Sequence, residues 1–139
     1  MPPRRTEAVS DRLFVYGSLR SDALRERAEA KRAFAALEAG SELQGRAIVA
    51  GRLYAPSWFP GFVPGNDGQV KGEVWRIRDP ELLAWLDGYE GEAYRREKLA
   101  AVHDAGSTVT AWVYRYVADL TGVSQIASGD YLDWTRNPG

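Results

Sequence analysis

Cysteine is absent from this chain, histidine occurs once, as His103, and 18 Lys and Arg nearly cancel 19 Asp and Glu. Without cysteine there is no disulfide framework, thiol nucleophile or zinc–thiolate site. A lone histidine argues against a multi-histidine metal centre and against a histidine-shuttled mechanism. The balanced charge argues against nucleic acid as the main partner, which usually calls for a clustered basic excess. No apolar run approaches the length of a membrane span. The opening Met-Pro-Pro-Arg-Arg lacks the apolar centre of a secretory signal. The expectation is a cytoplasmic protein with a flexible tail over residues 1–11 and a single domain over 12–139. With 139 residues, of which 45% are hydrophobic and 27% charged, the chain can bury a core of its own.

Residues 12–16 read as a short, continuous apolar strand, buried on both faces, and Gly17-Ser18 breaks it. Ser21-Asp22 offers an N-cap for a helix reaching about Glu38 and stopped by Gly40. Residues 45–54 read as a strand whose two glycines imply a bend or a close approach. The stretch 56–65 holds three prolines, two glycines and three aromatics, which suggests an irregular lid or packed cover over a pocket. Residues 69–77 read as a further strand. Asp79-Pro80 starts a helix that ends near Glu90-Gly91, with Leu82, Leu83, Trp85, Leu86 and Tyr89 on one apolar face. Residues 94–103 and 108–117 form a hairpin around Asp104–Ser107. The segment from Thr121 reads as coil with one short helix. About five strands and two helices point to an α+β fold, a curled sheet or small barrel with helices outside.

Two segments carry chemistry. In Tyr16-Gly17-Ser18-Leu19 a glycine lets backbone N–H groups approach a ligand, so an anion could be held there; the same residues also fit a plain turn. Glu90 stands at the C-terminal end of a helix, where the dipole disfavours negative charge, beside Tyr89, Trp85 and Leu86. Such surroundings would raise its pKa into the range useful for proton transfer, although a solvated surface glutamate fits the same letters. Asp87 is read as structural, satisfying the helix end or pairing with Arg95 or Arg96. Ser18 lacks the second glycine of a nucleophile elbow, and His103 reads as a surface residue of the hairpin.

Together these pieces resemble the gamma-glutamylcyclotransferase superfamily, in its AIG2-like and gamma-glutamylamine cyclotransferase branches. The resemblance runs from about Leu13 to Trp134. It takes in Tyr16-Gly17-Ser18-Leu19, Val49–Tyr54 with Pro60-Gly61, Val70–Trp75, Leu86-Asp87-Gly88-Tyr89-Glu90-Gly91 with Tyr94 and Arg96, Val113-Tyr114 and Ser128-Gly129-Asp130. Tyr131 stands where tryptophan is expected, which we read as tuning of the cavity wall. The resemblance implies a small mixed β-barrel with flanking helices and a cavity at one end. It implies cyclisation of a γ-glutamyl amine, amino acid or peptide to 5-oxoproline with release of the free amine, with neither metal nor cofactor required. Glu90 matches the catalytic glutamate, and Tyr16, Gly17, Ser18 and Leu19 match the substrate-holding loop. Tyr94 and Arg96, with the 56–65 loop and the C-terminal segment, would be the walls that choose the leaving group. The partner implied is a small γ-glutamyl compound, not nucleic acid or membrane. A non-catalytic module of the same fold that binds γ-glutamyl compounds is the alternative.

Overall fold

The structure, a computed structural model, describes residues 11–136. In chain order the elements are β1 (Arg12–Val15), α1 (Ala28–Gly40), β2 (Ser41–Ala55), β3 (Gly61–Ile77), α2 (Leu82–Glu90), β4 (Tyr94–His103), β5 (Thr108–Tyr116), β6 (Ser124–Ile126) and α3 (Tyr131–Arg136). The continuous apolar run of β1 has a topological cause: the strand is paired on both edges. It runs antiparallel to β3 through Phe14↔Val74 and parallel to β5 through Phe14↔Val113. β5 pairs with β4, β4 with β2, and β2 returns to β3. Five strands therefore close into a mixed barrel, while β6 extends β2 at Leu53↔Ile126.

Closure gives the chain two cores, and the period-2 alternation of strands sorts residues between them. Phe14, Val74 and Val113 fill the barrel with Val49, Leu53, Phe62 and Val70. Their neighbours Leu13, Val15, Trp75 and Tyr114 face outward beneath the helices, where Leu37 of α1 and Leu82 and Leu86 of α2 cover them. The five-strand barrel with flanking helices is thus the expected α+β architecture, with β6 as an unforeseen sixth strand and α3 as the short C-terminal helix.

Three local expectations are corrected. The helix expected from Ser21 begins only at Ala28, because Ser21 and Asp22 bind Glu73 and Arg20 instead of capping it. The stretch 56–65 is irregular only to Pro60, since β3 starts at Gly61. Pro64 is tolerated because it lies at a break in register: Gly51 pairs with Pro64 but Ala50 with Gln69, so residues 65–68 loop out. Gly51 permits that break with a φ of +152° and no side chain to meet the Phe62 ring. Trp85 is 47% exposed and stacks on Tyr89, whereas Leu82 and Leu86 alone are fully buried on α2. Asp79 does serve the start of this helix, its side chain accepting the Glu81 N–H at 3.0 Å, although regular helix begins three residues later. The tail expected over residues 1–11 lies outside the described residues except for Asp11, whose carbonyl accepts the Ile77 N–H at 2.5 Å.

Packing at the junction of β1 and β3 leaves no room at Gly72, where an added Cβ would meet the Val15 carbonyl oxygen and lie 2.7 Å from the Phe14 ring. Gly88 on α2 has nothing within 4 Å. We expect Gly72→Ala to destabilise by about 1–3 kcal/mol through overpacking. Gly88→Ala should instead stabilise by about 0.5–1 kcal/mol through helix propensity. Urea unfolding of both variants checks this pair; equal effects would mean that the barrel relaxes at Gly72.

Candidate active site

Three segments meet at one end of the barrel around a cavity of about 330 Å³. The loop leaving β1 contributes Tyr16, Gly17, Ser18 and Leu19; the end of α2 contributes Tyr89 and Glu90; the turn before β3 contributes Trp58, Phe59 and Pro60. Phe14 and Val15, with Ala93, Tyr94 and Tyr114, complete a mostly apolar wall, and Glu29 joins it from the first turn of α1.

Glu90 is the last residue of α2, and Gly91 turns the chain there with a φ of +80° while donating its N–H to the Asp87 carbonyl at 3.1 Å. This ending aims a carboxyl into the cavity lining rather than along the helix surface. Burial pushes the Glu90 carboxyl up to about 7, and the charge of Asp87 adds to the rise. Among the described residues no hydrogen bond offsets these two causes. The shift expected from the helix dipole and apolar neighbours is present, and desolvation is its largest cause.

Asp87 is held outside this cavity by other partners. It accepts Arg96 Nε at 2.6 Å, Arg96 Nη2 at 2.9 Å and the Tyr114 hydroxyl at 2.7 Å. Burial alone would raise its carboxyl, but the hydrogen bonds from Arg96 and Tyr114 and the Arg96 charge carry it below its usual value. Asp87 therefore stays ionised and keeps pressing the Glu90 carboxyl towards its neutral form. The tyrosines around Glu90 are committed elsewhere: Tyr16 donates to the Tyr114 carbonyl at 2.6 Å and Tyr94 to the Pro60 carbonyl at 2.7 Å. Burial raises all of Tyr16, Tyr94 and Tyr114, with the Glu90 charge contributing in each case. They remain neutral hydroxyls at physiological pH.

The loop after β1 has two of its carbonyls, those of Gly17 and Ser18, occupied. Gly17 O accepts the Arg20 N–H at 3.0 Å, and Arg25 Nη1 donates to Ser18 O at 2.9 Å and Arg20 O at 2.7 Å. Among the described residues the Ser18 and Leu19 N–H groups have no protein acceptor. They are available to an anion or to a carbonyl oxygen gaining charge.

Of the residues singled out in the sequence, Glu90, Tyr16, Gly17, Ser18, Leu19 and Tyr94 share the cavity. Arg96 does not; its guanidinium is taken up by Asp87 and lies 4.5 Å above the Trp112 ring. Tyr131 also lies off the lining, and its hydroxyl donates to the Trp58 carbonyl at 3.2 Å, steadying the wall from behind. His103 sits far along the barrel, its ring Nδ1 3.2 Å from the Arg46 carbonyl, so no imidazole reaches Ser18. Sequence reasoning missed Glu29 and Tyr114. Glu29 was hidden inside an overlong helix; Tyr114 entered only as part of the Val113-Tyr114 resemblance, with no place in the site.

A native pKa raised from 4.5 to about 7 has a thermodynamic consequence. Between these values the folded state binds more protons than the unfolded one, so the contribution of Glu90 is most favourable below pH 4.5 and is lost as pH rises through about 7. The loss is on the order of 3 kcal/mol. Relative to Glu90→Gln, the native protein should therefore weaken by about that amount between pH 5 and pH 8 in urea unfolding. Parallel pH dependences of the two proteins would contradict the shift.

Residues 13–133 match the model of the family described as gamma-glutamyl cyclotransferase, AIG2-like. The gamma-glutamylcyclotransferase family protein YtfP of Escherichia coli K12 is 36% identical over 125 residues, covering 88% of this chain and 96% of YtfP. The solution structure of E. coli YtfP superposes with a TM-score of 0.62 at 35% identity, covering 89% of this chain and 98% of that one. An AIG2-like protein from mouse shares the fold, with a TM-score of 0.63 and 21% identity over 78% of this chain and 79% of that chain. The barrel, the cavity at its end and these similarities agree, and the chain belongs to the AIG2-like gamma-glutamyl cyclotransferase family.

Proposed function

We propose that the protein cyclises γ-glutamyl amines, amino acids or peptides to 5-oxoproline and releases the free amine, with Glu90 as the acid–base group. The observation that carries this reading is Glu90 itself: a carboxyl lining the cavity, without a hydrogen bond among the described residues and with its pKa pushed up to about 7 by burial. A carboxyl of that basicity can take a proton and give it back at neutral pH. Glu90 accepts a proton from the substrate's α-amine as its nitrogen attacks the γ-carbonyl carbon and the ring C–N bond forms. It then returns the proton to the leaving nitrogen as the old amide C–N bond breaks. The balance closes without any further reactant.

The reaction is intramolecular, so holding the glutamyl chain bent supplies much of the rate, an orientation effect of about 7–11 kcal/mol. The free N–H groups of Ser18 and Leu19 suit the substrate's carboxylate or the oxygen that gains charge during attack. Phe14, Phe59 and Pro60 give the bent chain an apolar wall, and Tyr94 completes the lining. Glu29 also lines the cavity, but it is exposed on the first turn of α1. That exposed position at the cavity suits contact with a leaving group.

The test is 5-oxoproline release from a panel of γ-glutamyl amines, amino acids and peptides. Release by the native protein should fall by about 10²–10⁴-fold in Glu90→Gln, whose melting temperature at pH 7 should be no lower than that of the native protein. Undiminished release in the Gln variant would remove Glu90 from the chemistry. Thermal stabilisation by these compounds without any product would indicate the binding module.

A further inference from the structure

The segment from Gly17 to Arg27 joins β1 to α1 without helix or strand, and few backbone hydrogen bonds hold it, among them Arg20 N–H to Gly17 O and Ala23 N–H to Arg20 O. Yet two of the three buried polar or charged residues among those described, Arg20 and Glu73, are each only 4% exposed and are devoted to it. Burying a charged side chain is unfavourable unless its polar atoms are satisfied, and replacing it by an apolar residue is often neutral. Such groups therefore point to a need for fixed geometry.

We propose that Arg20 and Glu73 are positioning residues, a two-point clamp that fixes the Gly17–Leu19 loop relative to Glu90. Arg20 follows the loop directly. Its Nε and Nη2 bind the Asp22 carboxylate at 3.1 and 3.0 Å, and its Nη1 binds Asp130 Oδ1 at 2.9 Å. The same Asp130 oxygen accepts the Leu132 N–H at 3.0 Å at the start of α3. The preceding Gly129 carbonyl accepts the Lys71 N–H of β3 at 2.8 Å. One end of the loop is thereby tied through α3 to the barrel.

The second point is Ser21. Glu73 Oε1 accepts the Ser21 N–H at 2.8 Å and Trp75 Nε1 at 3.2 Å, and Glu73 Oε2 accepts the Ser21 hydroxyl at 2.5 Å. Glu73 belongs to β3 and pairs with Val15 of β1, so it is fixed by the barrel on the strand beside the loop's origin. None of Arg20, Ser21, Glu73 and Asp130 lines the cavity. They act on substrate only through the loop.

The kinetic consequence rests on the proposed cyclotransferase reaction; the positioning itself does not. Asp130→Ala removes one point and Ser21→Ala weakens the other without touching α3, while Asp130→Asn keeps the oxygen that both Arg20 and Leu132 use. Amide hydrogen exchange at Arg20 and Ala23 should rise about tenfold in both alanine variants, with Val70 and Val113 of the barrel unchanged. 5-Oxoproline release should lose at least about tenfold in kcat/KM, and Asp130→Asn should recover most of it. Ile126→Val, a core change on β6, should alter neither readout. Unchanged exchange at Arg20 and Ala23 in both alanine variants would overturn the inference, as would a loosened loop with native kcat/KM. A native protein that releases no 5-oxoproline overturns the functional reading instead, and exchange alone then decides the positioning.

Discussion

Desolvation of the Glu90 carboxyl is the constraint on which the site depends. A carboxylate at a helix C-terminus among aromatic side chains is unfavourable, and none of the described residues relieves Glu90. Asp87, one turn earlier on the same helix, is relieved, by Arg96 and by Tyr114. Two acids three residues apart are thus driven in opposite directions by their surroundings. The one that stays charged helps keep the other near neutrality.

The rest of the molecule maintains this difference. The barrel closes because β1 accepts partners on both edges, and closure places the β1 loop, the turn before β3 and the end of α2 at one end. Tyrosine hydroxyls that could have satisfied Glu90 are directed to backbone carbonyls of Tyr114 and Pro60. The β1 loop, lacking regular structure, is held by the partly buried ion pairs of Arg20 and by Arg25, whose guanidinium also packs over the Phe34 ring at 3.7 Å. Rigidity is therefore concentrated where Ser18, Leu19 and Glu90 line one cavity, their N–H groups and carboxyl unpaired among the described residues.

Much of this was legible in the letters. The unbroken apolar run of β1, the 104–107 hairpin turn and the Glu90-Gly91 ending depend on local patterns, so sequence reasoning located them. What it missed depends on partners distant in sequence. Ser21 and Asp22 have the chemistry of helix caps, but Glu73 and Arg20 claim them, and the helix starts seven residues after Ser21. Arg96 looks like a ligand-binding cation until β4 brings it beside Asp87, a pairing that local sequence offered only as one of two choices. Trp85 has helical spacing with Leu82 and Leu86 yet is exposed and stacks on Tyr89. Glu29 carried no signal at all, since its place in the cavity follows from the late start of α1.

The central claim, that the fold holds the Glu90 carboxyl protonatable near neutral pH, is tested most directly by a carbon-detected NMR titration of its side-chain carboxyl. The Glu90→Gln protein supplies the assignment by the loss of one resonance. The account predicts a midpoint near 7. A midpoint at the ordinary glutamate value of 4.5 would mean that Glu90 is hydrated like any surface carboxylate, and the proposed acid–base role would lose its physical basis.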